Sequence, residues 1–330
     1  MGAGNRLGFL LGPESVLTHQ IIFAGSVLSK YWILFSLVIS MGCENQGNQQ
    51  SKNSQKKRKE FQTVIGISPA LTEMLFALIP EKNVAGVTKQ CNYPADKIKK
   101  KQRLETYPMD FEKLLEMKPD LVVTEKGISS IQDIQKMQNL GLHVIEFQYH
   151  NTRDILNAME KLMKMLPILP EAKSLHDSLT RALNTQEEKY KHQTRQERPS
   201  VLVITWIDPI FAYGFETWMT DKIRLAGGRN VLEEKLDKPY PTLSRETILD
   251  LNPDILFGGT FEQMDTSFFR LYPELRTISA YRNKCIFALN DDLATRPGPR
   301  FMEGIQELEK CINDFKRIPV HVQKSKQLTF

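Results

Sequence analysis

The sequence predicts an α/β fold of two Rossmann-like lobes, each with a mostly parallel sheet, joined by a long connecting helix. Apolar, β-rich runs alternate with helical segments, a pattern typical of parallel strands linked by crossover helices. The alternation gives way to a purely helical stretch and then restarts. One segment also occurs twice, as YPMDFEKLLEMKPDLVV from Tyr107 and as YPTLSRETILDLNPDILF from Tyr240. The 330 residues are enough for two domains of ordinary size, so we expect two related lobes.

The first lobe is expected to cover residues 61–170. Pro69 follows Ser68 and suits the first turn of a helix. Asp110 is expected to cap the helix of the repeated segment, and Pro119 to end it. The expected strands are TVIGI (63–67), VAGV (84–87), DLVVTE (120–125) and HVIEF (143–147), and the expected helices are ALTEMLFALI (70–79), FEKLLEMK (111–118) and about 129–140.

The connecting helix is expected at residues 171–195, because residues 171–193 contain neither Gly nor Pro. At about 1.5 Å per residue this run would reach roughly 35 Å, the length of a domain. The second lobe is expected at 196–315, followed by a loose tail at 316–330. Its expected strands are VLVIT (201–205), DILFGG (254–259) and CIFAL (285–289), and its expected helices are DKIRLAGG (221–228), RETILDLN (245–252) and PRFMEGIQELEKCINDF (299–315).

The N-terminus carries the pattern of an export signal. The apolar run at 31–40 is too short to span a bilayer but suits a secretion signal. Small Gly42 before Cys43 resembles a bacterial lipoprotein signal, in which Cys43 would be lipidated; an uncleaved anchor or a buried cysteine is the alternative. Residues 1–43 are therefore interpreted as the export segment and 44–60, which lack apolar residues, as a flexible tether. This predicts a protein in the periplasm or at the cell surface, held to the membrane by lipid.

The charge and cysteine patterns exclude some classes of partner. The net charge of +5 is concentrated in lysine runs at 56–60 and 97–101, which are typical of solvated surface and predict no nucleic-acid partner. Beyond Cys43 the cysteines show no paired spacing, so none of them demands a disulfide. Cys311 lies in the apolar stripe of the last predicted helix and is interpreted as a core residue.

Catalytic and metal-binding signals are weak. The sequence has no P-loop, GxGxxG, GxSxG or HExxH motif, so we expect neither an enzyme nor a resident cofactor. The histidines are scattered, whereas a histidine metal site needs at least three to converge, so no metal site is expected. His150, just after a predicted strand, is kept as a candidate ligand contact.

Aromatic residues gather after the predicted strand ends, where open α/β sheets bind ligands. Flat aromatic faces suit a large, planar, partly apolar ligand. We expect about half of this set to line a cleft and the rest to be core. The set is Tyr93 and Tyr107 in the first lobe, and Trp206, Phe211, Tyr213, Trp218 and Tyr240 in the second.

Charged residues near helix starts remain open to two interpretations. Arg296 and Arg300, with Asp291 and Asp292 just before them, could contact a ligand or form salt bridges between loops. Glu112 and Glu246 occupy matching places in the repeated segment. They could simply favour the helix dipole, or present one acidic group per lobe to a partner with two subunits.

The order and spacing of several segments resemble a known family. SPALTEMLFAL (68–78), VAGVTKQCNYP (84–94) and LEMKPDLVV (115–123) resemble the first lobe of substrate-binding proteins of bacterial ABC importers. AGGRN (226–230), PTLSRETILDLNPDILFGG (241–259) and RPGPR (296–300) resemble the second lobe. The similarity lies in the group with a rigid connecting helix, which handles vitamin B12, haem and ferric siderophores. Within this group it is greatest to the vitamin B12-binding proteins.

The resemblance implies a role for each candidate residue. Tyr107 and Tyr240 match cleft positions that hold tryptophan in the vitamin B12-binding proteins, Phe211 and Trp206 match a loop facing the ligand, and Asp291 or Asp292 would lie near it. The predicted ligand-binding set also includes Tyr93 and Trp218, which follow predicted strand ends, and Arg296, which lies near the start of the last predicted helix. Glu112 and Glu246 match glutamates that dock onto a dimeric permease, and Cys311 matches a disulfide cysteine whose partner position is Ala226 here.

The expected function is therefore capture of a metal-chelate ligand by a monomeric protein and its delivery to an ABC permease. A corrinoid is the first expectation. Because tyrosine replaces tryptophan at both cleft positions, haem or a ferric siderophore is the alternative. A chelatase-type enzyme or a zinc or manganese carrier is the competing expectation from another class.

Overall fold

A computed structural model describes residues 61–232 and 238–318 of the chain. The predicted export segment, Cys43, the predicted tether and the tail beyond residue 318 lie outside the described residues. Within the described part, no helix combines the length and the apolar character needed to cross a membrane.

The first lobe is built on a five-stranded sheet with the order β3-β2-β1-β4-β5, in which each pair of neighbours is parallel. The helices connect strands that run the same way, as the alternating sequence pattern predicts. The elements are β1 (Val64–Gly66), α1 (Pro69–Leu78), β2 (Val84–Thr88), α2 (Ala95–Ile98), β3 (Arg103–Leu104), α3 (Phe111–Glu116), β4 (Leu121–Glu125), α4 (Ile131–Asn139), β5 (His143–Phe147) and α5 (Thr152–Met163).

One long helix, α6 (Ala172–Tyr190), follows the first lobe and connects it to the second. Its 19 residues correspond to about 28 Å, somewhat shorter than expected, because the last residues of the predicted run form a turn. It packs against α5 on one side and against two helices of the second lobe on the other. The side-chain amide of Gln186 donates to the Leu225 carbonyl oxygen at 2.9 Å, which fixes α6 to the second lobe.

The second lobe is built on a six-stranded mixed sheet with the order β11-β10-β6-β7-β9, and β8 pairs beside β6. The β7 and β9 pairings are antiparallel and the others parallel. The elements are β6 (Ser200–Ile207), β7 (Ile210–Ala212), α7 (Trp218–Leu225), β8 (Arg229–Asn230), β9 (Thr242–Leu243), α8 (Arg245–Leu251), β10 (Ile255–Phe257), α9 (Phe261–Thr266), α10 (Phe268–Leu271), α11 (Ser279–Arg282), β11 (Ile286–Phe287), α12 (Asp291–Thr295) and α13 (Phe301–Lys316).

One hydrophobic cluster of the described residues runs through both lobes, beside a separate cluster within each lobe. It joins buried side chains of β1 and α1, such as Val64 and Leu75, to those of β6 and α13, such as Val201 and Ile305. Leu183 of α6 belongs to the same cluster. Because moving one lobe against the other would disrupt this shared packing, the core restricts hinge motion. The predicted two-lobed α/β fold is confirmed, with an antiparallel part of the second sheet that the sequence pattern did not indicate.

Candidate functional site

A cavity of about 440 Å³ lies at the carboxyl ends of strands in the second sheet. β6, β10 and β11 are parallel neighbours, so their ends open at the same edge, where ligands bind in open α/β sheets. The wall combines apolar side chains with a few polar groups, as in most small-molecule sites. It includes Thr205, Tyr213, Phe257, Gly258, Gln263 and Asp291.

Three aromatic rings contact one another edge-on or at a tilt beside this cavity. Tyr213 is in the middle, with ring centroids 5.6 Å from Tyr240 and 6.0 Å from Trp218. Tyr240 is 57% exposed, Tyr213 is 7% exposed and Trp218 only 5%. Burial, followed by the charges of Tyr240 and Asp291, raises the pKa of Tyr213. The exposed ring of Tyr240 therefore packs against the buried ring of Tyr213, whereas Trp218 belongs to the core.

The other two predicted aromatics of the second lobe occupy the hairpin of β6 and β7. Trp206 and Phe211 face each other in its register. Trp206 is 62% exposed, and its indole N–H donates to the Asp208 carbonyl oxygen at 2.7 Å, which fixes the ring orientation. Phe211 is partly buried.

The predicted aromatics of the first lobe have fewer neighbours. Tyr93 is about half exposed, and the guanidinium of Arg300 lies 4.1 Å from its ring centroid, a cation–π contact between the lobes. Tyr107 is 92% exposed in the loop before α3. Its place in the cleft stays a prediction.

A buried carboxyl group, Glu125, ends β4 of the first lobe. It accepts a hydrogen bond from the hydroxyl of Ser68, which also caps α1 by accepting from the Leu71 N–H. Burial raises the pKa of Glu125 to about 7, although the Ser68 bond opposes this shift. Burial, followed by the charge of Glu125, raises the pKa of Tyr240 of the second lobe.

The two predicted arginines join the lobes. Arg296 and Arg300 both donate to the carboxylate of Glu73, which is almost fully buried on α1, at 2.8 Å. Arg296 also pairs with Asp292 at 2.6 Å, and Asp292 accepts from the side-chain amide of Asn92 at 2.9 Å. This arrangement is a salt bridge, as one of the two interpretations has it, but it joins the lobes through a helix residue instead of joining two loops. A ligand contact of Arg296 or Asp292 stays a prediction.

The two matching glutamates sit in the first turns of helices on the protein surface. Glu112 lies in α3 and Glu246 in α8, and both are exposed. Bonds from its own backbone N–H and from Ser244 lower the pKa of Glu246, which fits the helix-terminus interpretation. Exposure of both residues also leaves them accessible to a partner.

The candidates for metal or disulfide chemistry stand apart from one another. His150 is exposed, and its backbone N–H donates to the Asp154 carboxylate. Across residues 61–232 and 238–318, no group of three or more His, Cys, Asp or Glu side chains could hold a metal ion. Cys91, Cys285 and Cys311 are free thiols, and Ala226 is buried. Cys311 packs against the main core, and burial raises its pKa to about 11.

Sequence reasoning missed several groups of the cleft. Glu125 resembled the ordinary end of a strand, and Glu73 resembled an acid near a helix start. Gly258 lines the cavity because it has no side chain; a Cβ there would lie 3.1 Å from the Met264 methyl carbon. The Gly-Gly after DILF was the available signal, because glycine at a strand end often marks close approach to a ligand.

Comparison with known proteins identifies the family. Residues 64–293 match the periplasmic binding protein family. The chain belongs to this family. It is 25% identical over 305 residues to an uncharacterized ABC transporter substrate-binding lipoprotein, YvrC, of Bacillus subtilis, covering 85% of this chain and 95% of that protein.

Solved structures share the fold of this periplasmic binding protein. The vitamin B12-binding protein BtuF of Vibrio cholerae has a TM-score of 0.66 at 20% identity, covering 78% of this chain and 98% of that one. The apo form of the haem-binding protein RhuT of Roseiflexus sp. RS-1 has a TM-score of 0.62 at 18% identity, covering 78% and 99%. The family membership expected from the sequence is confirmed.

Proposed function

We propose that this periplasmic binding protein is the substrate-binding component of an ABC importer. It captures a metal-chelate nutrient, in the first instance a corrinoid, in the cleft between its lobes and delivers it to a dimeric permease. It acts as a monomer without catalysis, outside the cytoplasm, and is tethered through a lipid on Cys43.

The observation that carries the proposal is the exposed ring of Tyr240, which packs against Tyr213 beside the cavity. Tyr213 holds this ring in place, so little side-chain freedom is lost when a ligand binds against it. A flat aromatic surface next to a cavity of about 440 Å³ suits part of a large macrocycle. The core shared by both lobes keeps the cleft largely preformed.

The haem or ferric-siderophore alternative rests on the same scaffold. A vitamin B12-binding protein and a haem-binding protein have nearly equal structural similarity to this chain. Similarity of fold therefore supports a chelate-binding role without choosing between the ligands.

The test is titration of the purified full-length protein with cyanocobalamin, haemin and ferric siderophores, followed by quenching of tryptophan fluorescence. We expect saturable binding of at least one ligand, and a loss of affinity of about 10-fold or more for Tyr240→Ala, because aromatic contacts dominate such sites. Tyr240→Phe, which keeps the aromatic ring and removes only the hydroxyl, serves as the matched control. If none of the three ligands binds the wild-type protein, the proposed ligand class is wrong.

Docking is tested separately. Glu112→Ala with Glu246→Ala should leave ligand affinity unchanged and abolish uptake, because charged surface groups steer association with a partner. Glu262→Ala is the matched control, since Glu262 is an exposed acid in the first turn of α9. Normal uptake by the double variant would assign both glutamates to helix stabilisation alone.

The lipid anchor has its own test. Cys43→Ser should release the protein from the membrane fraction of the source cells without changing ligand affinity. Release into the soluble fraction supports the anchor, and unchanged membrane association contradicts it.

A further inference from the structure

One wall of the cavity is formed by a helix that is too short to hold its own position. α12 contains five residues, and three of them, Asp291, Ala294 and Thr295, line the cavity. A single helical turn is not stable alone, and the last carbonyl groups of a helix lack partners within it. Contacts from other elements must therefore set the position of α12, and with it the position of this wall.

The ammonium of Lys222 supplies such a contact from α7. It donates to the Leu293 carbonyl oxygen of α12 at 2.6 Å. At the start of α12, the carboxylate of Glu307 on α13 accepts from the backbone N–H of Asn290 at 3.0 Å. A cation at the carboxyl end of a helix and an acid at its amino end both complement the helix dipole. Ionisable side chains of α7 and α13 therefore hold α12 at both of its ends.

Gly304 of α13 makes room for the bond between Lys222 and Leu293. A Cβ at this position would lie 2.5 Å from the Leu293 carbonyl oxygen and 2.8 Å from the Lys222 ammonium nitrogen. Glycine inside a helix costs about 1 kcal/mol relative to alanine. The close approach of these two groups accounts for a glycine at this place in α13.

Lys222 also contacts the aromatic cluster beside the cavity. Its ammonium lies 4.5 Å from the ring centroid of Trp218, a cation–π contact. Trp218 contacts the ring of Tyr213, which lines the cavity and packs against Tyr240. One side chain therefore contacts both α12 and the aromatic cluster.

Burial of this ammonium is costly. Lys222 is fully buried, and burial lowers its pKa to about 7, although the charge of Glu307 opposes this shift. Lysine is rarely buried completely, because its ammonium loses its hydration. An apolar side chain of similar length would pack here without that cost, so stability alone does not account for lysine at this position.

We propose that Lys222 is a positioning residue for the ligand cavity, that it holds α12 and Trp218 in the arrangement that fits a bound chelate, and that Gly304 leaves the space for it. This rests on the proposed function and adds residues that a ligand does not touch. Because Lys222 is fully buried, it acts on a ligand only through its neighbours. Binding sites depend on such supporting contacts, because a wall that shifts by a fraction of an ångström fits its ligand less well.

The experiment compares Lys222→Met with the wild-type full-length protein. Equilibrium dialysis gives dissociation constants for cyanocobalamin, haemin and ferrichrome, and hydrogen–deuterium exchange of the α12 amides is measured without ligand. The variant should bind the chelate that the wild type binds about 10-fold more weakly, because a hydrogen bond that fixes the wall is lost. Its α12 amides should exchange about 10-fold faster, a larger change than for the amides of β6, because the lost contact is local.

A second substitution removes the same contact from the other side. Gly304→Ala should weaken binding by a similar factor, although alanine favours the helix, because its methyl group displaces the Leu293 carbonyl oxygen. Lys222→Met combined with Gly304→Ala should bind no more weakly than the single variants, since effects on one shared contact do not add.

Lys101→Met is the matched control. Lys101 donates its ammonium to the carbonyl oxygens of Glu81 and Val84 in the first lobe, at 2.7 and 2.8 Å. Its replacement should lower the thermal midpoint but leave the dissociation constants and the exchange of the α12 amides unchanged, because this bond lies away from the cavity.

The outcomes separate this proposal from the proposed function. Unchanged affinity in Lys222→Met, or an equal loss of affinity in Lys101→Met, would overturn the positioning role while leaving the chelate-binding function intact. Failure of the wild type to bind any of the three chelates would overturn the proposed function. The exchange of the α12 amides would then still decide whether Lys222 holds this helix in place.

Discussion

The two copies of the repeated segment are alike in their second halves and different in their first halves. Asp110 and Ser244 cap α3 and α8 in the same way, each accepting from the backbone N–H three residues on. Each helix is followed by a residue with positive φ, Lys118 at 48° and Asn252 at 40°. A buried proline comes next in both lobes.

The aspartate after each proline ties two strands together. Asp120 accepts from the N–H groups of Gln62 and Thr63, just before β1. Asp254 accepts from the N–H and the hydroxyl of Ser200, at the start of β6. The Pro-Asp half is thus the same strand-joining device in each lobe.

The first halves differ because their surroundings differ. Around Tyr107 the chain forms a tight loop, with a single bridge between Thr106 and Met109. The segment after Tyr240 instead pairs as β9 with β7, and the ring of Tyr240 rests on Tyr213. A repeated sequence therefore reproduces its local scaffold, whereas the position of its tyrosine depends on what the rest of the lobe places beneath it.

The largest expected effect concerns the ion pairs of Glu73 with Arg296 and Arg300, which join the lobes. Glu73→Ala should lower the free energy of unfolding by about 3–5 kcal/mol, because it leaves the guanidinium groups of Arg296 and Arg300 without their buried partner. Urea unfolding followed by circular dichroism measures this change. The exposed Glu116, paired only with Lys113, is the control, and Glu116→Ala should cost less than about 1 kcal/mol. Similar losses of unfolding free energy for both variants would show that the ion pairs between the lobes contribute little to stability.

The next effect compares the two aspartates directly. Asp254→Ala should cost about 2–3 kcal/mol and Asp120→Ala about 1 kcal/mol, because the groups left unsatisfied belong to the buried Ser200 in the first case and to an exposed site in the second. Chemical denaturation of both variants gives the comparison. Equal losses of unfolding free energy for the two variants would mean that burial of the hydrogen-bonded groups does not determine their contribution to stability.

A third prediction compares how one buried ionisable group in each lobe makes the stability of the protein depend on pH. Each lobe buries an ionisable group whose pKa is shifted by burial to about 7, Glu125 upward in the first lobe and Lys222 downward in the second. The ammonium of Lys222 donates to the Leu293 carbonyl oxygen of α12 at 2.6 Å.

The pKa shifts of the two groups have opposite effects on how stability changes with pH. For Glu125 the folded state binds more protons than the unfolded state between about pH 4.5 and 7, so its contribution to stability falls as pH rises through that window. For Lys222 the folded state binds fewer protons between about pH 7 and 10.5, so its contribution rises with pH there.

Stability curves of single variants should therefore diverge in opposite directions. Between pH 5 and 7.5, the free energy of unfolding of Glu125→Gln should rise by about 1–3 kcal/mol relative to that of the wild type. Between pH 7.5 and 9.5, the free energy of unfolding of Lys222→Met should fall by about 1–3 kcal/mol relative to that of the wild type. Free energies of unfolding at several pH values test this. Parallel curves for a variant and the wild type would mean that the group titrates alike in both states.

Local signals were enough for the scaffold. Asp110 caps its helix as the sequence predicts, and Ser68 and Ser244 cap theirs in the same way. The alternation of β-rich runs and helices placed the parallel strands, because each crossover unit is encoded within a short stretch of chain.

Contacts between distant residues were beyond such reasoning. The pairs of Glu73 with Arg296 and Arg300 span 223 and 227 residues, and nothing near Glu73 marks it as a buried ion-pair partner. β7 and β9 are strands of three and two residues with α7 and β8 between them in the chain, so their periodicity is too short to detect. The support of Tyr240 by Tyr213 depends on this pairing and was missed with it.

The smallest expected effect lies in the residues with positive φ that end the two repeated helices. Asparagine adopts this left-handed backbone conformation more readily than lysine, so Lys118→Asn should stabilise the protein by about 0.5–1 kcal/mol. The reciprocal Asn252→Lys should destabilise it by about 1–2 kcal/mol, since the Asn252 side chain also accepts from the Ser279 N–H at 2.7 Å. Thermal and urea unfolding of both variants measures the pair. Destabilisation by Lys118→Asn would show that the lysine side chain makes a stabilising contribution larger than the backbone strain, and the two helix ends would then not be equivalent.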